Sequence, residues 1–310
     1  MKGTQLAALT SLILLGLVPF AQAHGIVGNR MFIEPMITED ANVKNELVLP
    51  SFDLQALPDG TWRSIGFSFE KILYPRRLSV VLESDRIYQH ANGGRLAGWD
   101  NFEMGVKWQG LTSERHEFTM SPALFVTFPT GSRRMAERQT ALRPMLLYAK
   151  GFGDLPASWI RSFALQGDIG YEASVSGSRD RQFVFDEVLM YSVPYLNQFV
   201  RHDNDGYSME HSLRRGFSNG AFFGNLFPFV ELNGASAVNG VPGGTSLTLR
   251  PGVLWMGKYA QVSVAADLPV RTPGMVRPHT GASILVDWFL DEIVPPLNWT
   301  PFGKQHHHDD

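Results

Sequence analysis

The sequence predicts an all-β protein, an antiparallel up-and-down transmembrane β-barrel of about 12 strands (roughly 10 to 14). Three observations support this prediction. Apolar and polar residues alternate with a period of two over long stretches, most connections between those stretches alternate between short and long, and aromatic residues recur near strand ends. With 44% hydrophobic residues and only 18% charged residues, the composition excludes a disordered chain.

The first 23 residues have the features of a secretory signal peptide. Lys2 supplies the positive start, an apolar stretch runs from Leu6 to Phe20, and Ala21-Gln22-Ala23 is a small-x-small cleavage site. The mature chain would therefore begin at His24. An uncleaved membrane anchor is the alternative, although the apolar stretch is shorter than the roughly 20 residues of a spanning helix.

We expect residues 24–45 to form an N-terminal periplasmic extension, residues 46–294 to form the barrel and residues 295–310 to form a C-terminal tail. Long strands with one apolar face support the central division. In residues 101–109, Phe102, Met104, Val106 and Trp108 alternate with polar or small residues, and the stretches 162–176 and 259–270 repeat this pattern. Further strands are predicted at about 46–55, 62–73, 78–89, 115–128, 144–152, 182–192, 222–235, 245–256 and 283–290.

The connections between these strands fit a barrel whose termini both lie in the periplasm. Residues 74–77, 110–114, 152–158 and 257–258 are then short periplasmic turns, and residues 91–100, 129–143, 236–244 and 271–282 are longer outer loops. The stretch 193–221 is the exception, because it is long but falls on the periplasmic side. Pro194 and the apolar residues after it predict a short periplasmic helix near residues 194–200, and a miscounted strand is the alternative.

The alternation alone leaves open whether the apolar face contacts lipid or a second sheet, so a soluble β-sandwich is the alternative fold. Strands of ten or more residues match a tilted bilayer span. Aromatic residues are also placed where interfacial girdles would lie, namely Trp62, Tyr74, Phe128, Tyr148, Trp159, Tyr259 and Trp288. Both observations favour lipid and an outer-membrane location.

Several segments resemble a known family. They are His24-Gly25-Ile26-Val27-Gly28-Asn29-Arg30, Asn45-Glu46-Leu47-Val48-Leu49-Pro50, Tyr191-Ser192-Val193-Pro194-Tyr195-Leu196, Phe227-Pro228-Phe229-Val230-Glu231-Leu232, the stretch from Pro251 to Val262, and Phe289-Leu290-Asp291-Glu292-Ile293-Val294-Pro295. On these residues the chain resembles the exported outer-membrane β-barrel proteins of the phenol-degradation meta-pathway (MetA-like) transporter family. The resemblance spans nearly the whole mature chain and implies a barrel with a transport role, without naming a solute.

In a barrel, the charged residues on the polar strand faces point into the lumen. The candidate lumen-lining residues are Glu103, Lys107, Asp168, Glu172, Arg250, Asp267 and Asp287. Mixed charges of this kind either line a small channel or pair across the interior and fill it, and a packed polar interior without a passage is the alternative.

The sequence offers only weak candidates for catalysis or metal binding. His24 could bind copper through its amino group and ring, and His306, His307 and His308 could collect a metal ion. Ser218 lies in a G-x-S-x-G spacing but follows no buried strand. Residues 202–206 are similar to part of a calcium loop, but with Gly206 as the sixth position an EF-hand would have Arg201 at the first position and Ser212 at the twelfth, where carboxylates are required. We therefore predict no catalytic residue, no metal site and no cofactor.

The sequence thus predicts an outer-membrane channel or transporter-like barrel that passes small, aromatic or hydrophobic solutes passively, and not an enzyme. A filled barrel that docks a periplasmic or secreted protein is the alternative. Membrane lipid and a small solute are the expected partners. No nucleic-acid partner is expected, because 27 Lys and Arg residues against 30 Asp and Glu residues give a net charge of -3.

Overall fold

The computed structural model describes residues 25–57, 59–91, 93–175, 181–201, 222–239, 244–272 and 280–303. The strands are β1 (Ile26–Val27), β2 (Arg30–Met31), β3 (Glu46–Leu57), β4 (Gly60–Tyr74), β5 (Leu78–Ala91), β6 (Gly94–Trp99), β7 (Phe102–Trp108), β8 (Leu111–Ser113), β9 (Phe118–Phe128), β10 (Ala141–Gly151), β11 (Phe163–Ser174), β12 (Arg181–Tyr191), β13 (Leu226–Ala237), β14 (Thr245–Met256), β15 (Ala260–Arg271) and β16 (Gly281–Phe289). Short helical segments are Glu114–His116, Ser158–Ile160, Val193–Tyr195, Leu196–Val200, Phe222–Asn225, Leu290–Ile293 and Pro295–Asn298.

Twelve of these strands form one closed antiparallel barrel. Each of β9 to β15 pairs with the next strand along the chain, and β3, β4, β5, β7 and β9 continue the ring in that order. Pairing of β16 with β3 closes it, with Phe289 opposite Glu46. The even strand number puts both barrel termini at one end, which we call the terminal end, and we call the opposite end the loop end. The predicted barrel of about 12 strands is confirmed.

The two faces of each strand differ sharply in exposure. On β13 the outward Val230 is 42% exposed and the next residue, the inward Glu231, is fully buried. On β7 the outward Val106 is 40% exposed and Lys107 is 2% exposed. Exposed apolar side chains continue around the ring at Leu54, Ile65, Leu124, Ile169, Leu189, Val264 and Ile284. Among the described residues no second sheet covers this apolar face, so the β-sandwich alternative is wrong and the apolar belt is the surface that contacts lipid.

One predicted outer loop is largely a strand. Residues 91–100 were expected to form a loop, but β6 pairs with the half of β5 nearest the loop end. Arg86 lies opposite Trp99, and Ala91 lies opposite Gly94. The sequence between the two strands is Asn-Gly, which is a strong hairpin signal because both central residues of the favoured turn need positive φ. Gly93 has φ +75°. The hairpin therefore extends beyond the barrel rim at the loop end.

The long connection after β12 begins with a helix, as expected. The helical segment Val193–Tyr195 continues through Leu196–Val200, and the Ser192 side chain caps it by accepting a hydrogen bond from the Tyr195 amide at 3.1 Å. Residues 202–221 lie outside the described residues. Because the strands on either side pair as β12 with β13, the alternative of a miscounted strand is wrong.

After β16 the chain turns back along the rim of the terminal end. The Phe302 amide donates to the Leu73 carbonyl at 3.0 Å, and Lys71 Nζ donates to the Leu297 carbonyl at 2.7 Å. This segment includes the part of the expected C-terminal tail that the structure describes. Within the described ranges, no helix is both long and apolar enough to cross a membrane.

The position of the N-terminal segment differs from the expectation. Residues 24–45 were expected to extend into the periplasm, but residues 25–45 enter the barrel and contact its inward-facing side chains. We call residues 25–45 the plug. The physical reason is that the inner wall at the terminal end is apolar and needs a partner, which the apolar residues of the plug supply.

Candidate functional site

The terminal half of the lumen is a packed core made by the plug and the barrel wall. Met31, Phe32 and Ile33 are almost completely buried there. The wall side of the same cluster includes Leu147, Ala149, Ala164, Val188, Met190, Phe227, Phe229, Leu254, Met256, Leu285 and Phe289. Full burial of each of the three plug side chains contributes about 1.5 to 3 kcal/mol. The plug is therefore held by a hydrophobic core, and not only by polar contacts.

Arg30 fixes the start of the plug at the terminal end. Its Nε donates to Glu117 Oε2 at 3.2 Å, its Nη1 donates to the Ser162 carbonyl at 3.3 Å, and its Nη2 donates to the Arg161 carbonyl. The guanidinium also lies 3.6 Å from the centre of the Tyr195 ring, whose hydroxyl donates to Glu117 Oε1 at 2.8 Å. Because Arg30 and Glu117 are both buried, removing either one leaves an uncompensated buried charge.

The turn of the β1–β2 hairpin, just before Arg30, requires a glycine. Gly28 has φ +61°, and a Cβ built there would lie 2.3 Å from the Glu114 carbonyl oxygen. Only glycine avoids both the backbone strain and this contact. The turn of the hairpin therefore lies directly against the connection before β9.

Glu231 on β13 binds the apex of the plug. Its Oε2 accepts from the Met36 amide at 3.0 Å. Its Oε1 accepts from the amides of Ile37 at 2.9 Å and Thr38 at 2.7 Å, and from Thr38 Oγ1 at 2.8 Å. Three successive backbone donors thus converge on one buried carboxylate, which is a strong charge-assisted arrangement.

Lys44 organises the returning limb of the plug. Its ammonium forms ion pairs with Glu34 at 2.6 Å, Asp40 at 2.7 Å and Glu46 at 3.1 Å. Lys44 is buried, so three carboxylates compensate a single desolvated charge. The Lys44 amide donates to Glu70 on β4 at 3.1 Å, which ties this limb to the wall next to the start of β3.

All seven predicted lumen residues lie on inward faces of the strands, and three of them contact the plug or lie at its level. Lys107 pairs with Glu70 at 2.7 Å and donates to the Asp40 carbonyl at 3.1 Å. Asp168 Oδ2 accepts from the Glu39 amide at the plug apex at 2.8 Å. Asp287 is buried at plug level and accepts from Gln261 Nε2 at 2.7 Å.

The other four predicted residues lie between the plug apex and the loop end, in the part of the lumen that we call the vestibule. Arg250 Nε pairs with Asp267 at 2.7 Å. Glu103 pairs with Arg143 on β10 and accepts from Thr127 Oγ1 at 2.6 Å. Glu172 accepts from Gln182 Nε2 at 3.0 Å. Whether these residues line a solute path stays a prediction.

The vestibule wall carries more carboxylates than the sequence analysis identified. Its inward carboxylates are Asp53, Glu83, Asp85, Glu103, Glu172, Asp186 and Asp267, with Asp168 at its floor against the plug apex, and its inward guanidinium groups are Arg143 and Arg250. Most of these side chains are only half-buried, unlike the buried inward positions beside the plug. The missed acids all occupy polar positions of predicted strands, so full alternation counting over every strand would have found them.

One carboxylate lies on the opposite, outward face. Glu187 on β12 is next to the inward Asp186, and the hydroxyl of Tyr148 on β10 donates to it across β11. The residue between them is Gly167, where a Cβ would lie 2.7 Å from the Tyr148 hydroxyl and 2.8 Å from Glu187. The glycine leaves room for this hydrogen bond on the outer wall, so Glu187 is no part of the lumen.

The weaker candidates for metal binding and catalysis cannot be placed in the fold. His24, Ser218 and His306 to His308 lie outside the described residues, as does the expected signal peptide. In the part of the chain that the structure describes, no three His, Asp or Glu side chains are arranged to hold a metal ion.

Comparisons with known proteins agree on the fold. No family model matches the chain, and no curated protein does. Among solved structures, the NanC porin is similar with a TM-score of 0.50 at 9% identity, over 78% of this chain and 98% of that one. The COG4313 outer membrane channel from Pseudomonas putida F1 is similar with a TM-score of 0.51 at 10% identity, over 83% and 99%. With the closed barrel and its apolar belt, these likenesses identify the chain as an outer-membrane β-barrel protein.

Proposed function

We propose that the protein is an outer-membrane channel that passes small hydrophilic solutes by diffusion, without a catalytic step. The observation that carries this proposal is the change of lining along the lumen. The vestibule is polar and half-buried. A barrel whose interior is purely structural would be filled by packed side chains and would not need a solvated, charged wall facing the loop end. NanC and the Pseudomonas putida protein, both described as a porin or channel, support this role.

The plug sets the condition for passage. Beyond the vestibule, a solute meets the plug apex, which Glu231 and Asp168 hold to the wall, and then the packed apolar core. Passage through the terminal half therefore requires the apex to leave these acceptors. We infer that the channel is narrow or closed at rest and conducts when the apex is displaced.

The lining gives no support to an aromatic or hydrophobic solute. Apolar inward side chains concentrate beside the plug, where they are buried against it, and the half-exposed wall of the vestibule is rich in carboxylates. That part of the expectation stays a prediction. Membership of the MetA-like family is likewise a proposal, which rests on the sequence resemblance of the segments named above.

A filled barrel that docks a periplasmic or secreted protein is the second candidate. The buried contacts of Arg30, Glu231 and Lys44 favour it, because they hold the plug by charge as well as by apolar packing. In this case the plug is a permanent part of the fold and the lumen conducts nothing.

Single-channel recording in planar lipid bilayers separates the two candidates. The experiment compares the wild-type protein with Glu231→Ala, which removes the acceptor of the plug apex. The channel proposal expects measurable conductance in the wild type and larger or more frequent openings in Glu231→Ala. If neither protein conducts while both are folded, the channel proposal is wrong and the docking function is supported.

A further inference from the structure

We propose that the vestibule selects cations over anions, and that the facing carboxylates of Asp168 and Asp186 are the residues that discriminate between them. This inference rests on the proposed channel function. It assigns that channel a solute class, small cations, which the fold by itself does not specify.

Asp168 and Asp186 are direct cross-strand partners on β11 and β12. Both point inward, and directly opposed like charges destabilise a sheet pair. Asp186 Oδ1 accepts from Asn233 Nδ2 at 2.9 Å, and Asp168 Oδ2 accepts from the Glu39 amide at 2.8 Å. Neither carboxylate has a cationic side chain as an ion-pair partner among the described residues. Within the described residues, the charge of Arg143 and these two hydrogen bonds offset part of their mutual repulsion, and no ion pair does.

Asp168 provides an independent sign of a missing ligand. Its side chain is 1% exposed, yet its Oδ1 has no hydrogen-bond partner among the described residues. A buried carboxylate oxygen without a partner is costly and is normally satisfied by a donor, a water molecule or an ion. A cation beside Asp168 and Asp186 would satisfy this oxygen and offset the repulsion between the two charges.

The basic groups of the vestibule are already engaged elsewhere. Arg143 pairs with Glu103, which faces Glu83 across β7 and β5, and Arg250 pairs with Asp267. The groups that surround the Asp168 and Asp186 pair are Glu39 of the plug apex, Glu231 and Asn233 of β13, and Arg143 of β10. Acids outnumber bases in this neighbourhood as they do in the whole vestibule.

The physical consequence is a negative potential in a narrow, low-dielectric enclosure. Such a cleft concentrates counter-ions and excludes ions of its own sign, and rings of Asp and Glu side chains act as cation filters in channels. The effect must weaken with salt, because the screening length falls from about 10 Å at 0.1 M to about 3 Å at 1 M.

The test is the reversal potential of single channels in a gradient of potassium chloride across a planar bilayer. The wild-type protein is expected to show a K⁺ to Cl⁻ permeability ratio well above one at low salt and a ratio near one at molar salt. Asp168→Asn with Asp186→Asn should lower the ratio several-fold at low salt. Glu187→Gln is the matched control, because it removes a charge one residue away on the lipid face and should leave the ratio unchanged.

The outcomes separate this inference from the proposed function. Three results overturn the inference and leave the channel function intact. They are equal K⁺ and Cl⁻ permeabilities, a preference for anions, and a permeability ratio that the double variant leaves unchanged. If neither the wild type nor Glu231→Ala conducts while both are folded, the channel function is wrong and the inference fails with it. If the double variant does not fold, Asp168→Asn or Asp186→Asn alone replaces it. Each single variant should give an intermediate permeability ratio.

Discussion

Glu231→Ala is the substitution that should release the plug apex from the barrel wall. The carboxylate accepts hydrogen bonds from the amides of Met36, Ile37 and Thr38 and from Thr38 Oγ1. Alanine removes all four acceptor contacts at once. It also removes the acceptor of Asn233 Nδ2, which donates to Glu231 Oε1 at 3.0 Å.

The expected effect follows from the number of donors left without a partner. A buried donor that loses its acceptor costs about 1 to 3 kcal/mol, so three amides together cost on the order of 3 to 9 kcal/mol. Water entering the cavity recovers part of this cost, and we therefore take about 3 kcal/mol as the change in the free energy of local opening. This corresponds to roughly a hundredfold increase in the population of the opened plug.

Labelling of a single cysteine measures this population directly. The chain contains no cysteine, so Ala41→Cys on the plug, at a position that is 1% exposed, gives a reporter without background. The rate of its reaction with a water-soluble maleimide follows the opened fraction when closing is faster than labelling. We expect the rate to rise about a hundredfold in Glu231→Ala and less in Glu231→Gln, which keeps one acceptor oxygen.

Glu172→Ala in the same reporter background is the control. Glu172 is another inward carboxylate, but its contact is Gln182 on the neighbouring strand, so its loss should not change the labelling rate. Equal rates in Glu231→Ala and the unsubstituted reporter would refute the assignment of Glu231 as the acceptor that holds the apex. Equal acceleration by Glu172→Ala would show a general loosening of the barrel instead.

Arg30→Met leaves Glu117 charged and buried, so it should lower the free energy of unfolding by about 3 to 5 kcal/mol. Adding Glu117→Gln should recover part of this loss. Unchanged unfolding temperatures in both variants would contradict the ion pair. Gly105→Ala places a Cβ 2.3 Å from the Phe125 ring and should cost about 1 to 3 kcal/mol, whereas Gly110→Ala, with nothing nearer than 3.8 Å, should cost little in the same denaturation experiment. Val230→Arg should lower the free energy of unfolding in a bilayer by about 2 to 4 kcal/mol, because the residue contacts lipid. Ser246→Arg on the vestibule wall should lower it by less. Equal losses in the two variants would argue against the orientation of the faces. Burial, with the neighbouring Glu292, raises the pKa of Asp291 to about 7. The wild type should therefore lose stability as the pH rises from about 4 to about 7, and Asp291→Asn should remove this dependence of the unfolding midpoint.

Periodicity was sufficient to predict the barrel, because lipid imposes a strict requirement on every second residue. Val262, Val264, Ala266 and Leu268 alternate with polar or small residues, and all four face outward on β15. Strand ends were less accurate. The predicted loop at residues 91–100 became β6, although the Asn92-Gly93 pair carried a usable hairpin signal.

The plug could not be predicted from local patterns, because its partners are distant in sequence. The apolar run Met31-Phe32-Ile33 has no strand or helix period, and only the assembled wall shows what buries it. The inward faces also contain apolar residues, such as Val188 and Met190, which blur the alternation near the terminal end. The same reason explains why Glu231 was missed, since its role depends on backbone donors 195 residues away.

The distance in sequence between the plug and its partners constrains the order of assembly. The plug contacts Asp168, Glu231 and Gln261, which lie in strands that are synthesised much later. A chain that lacks β13 has no acceptor for the Met36 amide, and its barrel is not yet closed. The plug therefore cannot dock in early intermediates. Docking of the plug is consequently a late event of biogenesis, and substitutions such as Phe32→Ala should slow the final maturation of the barrel more than the insertion of its hairpins.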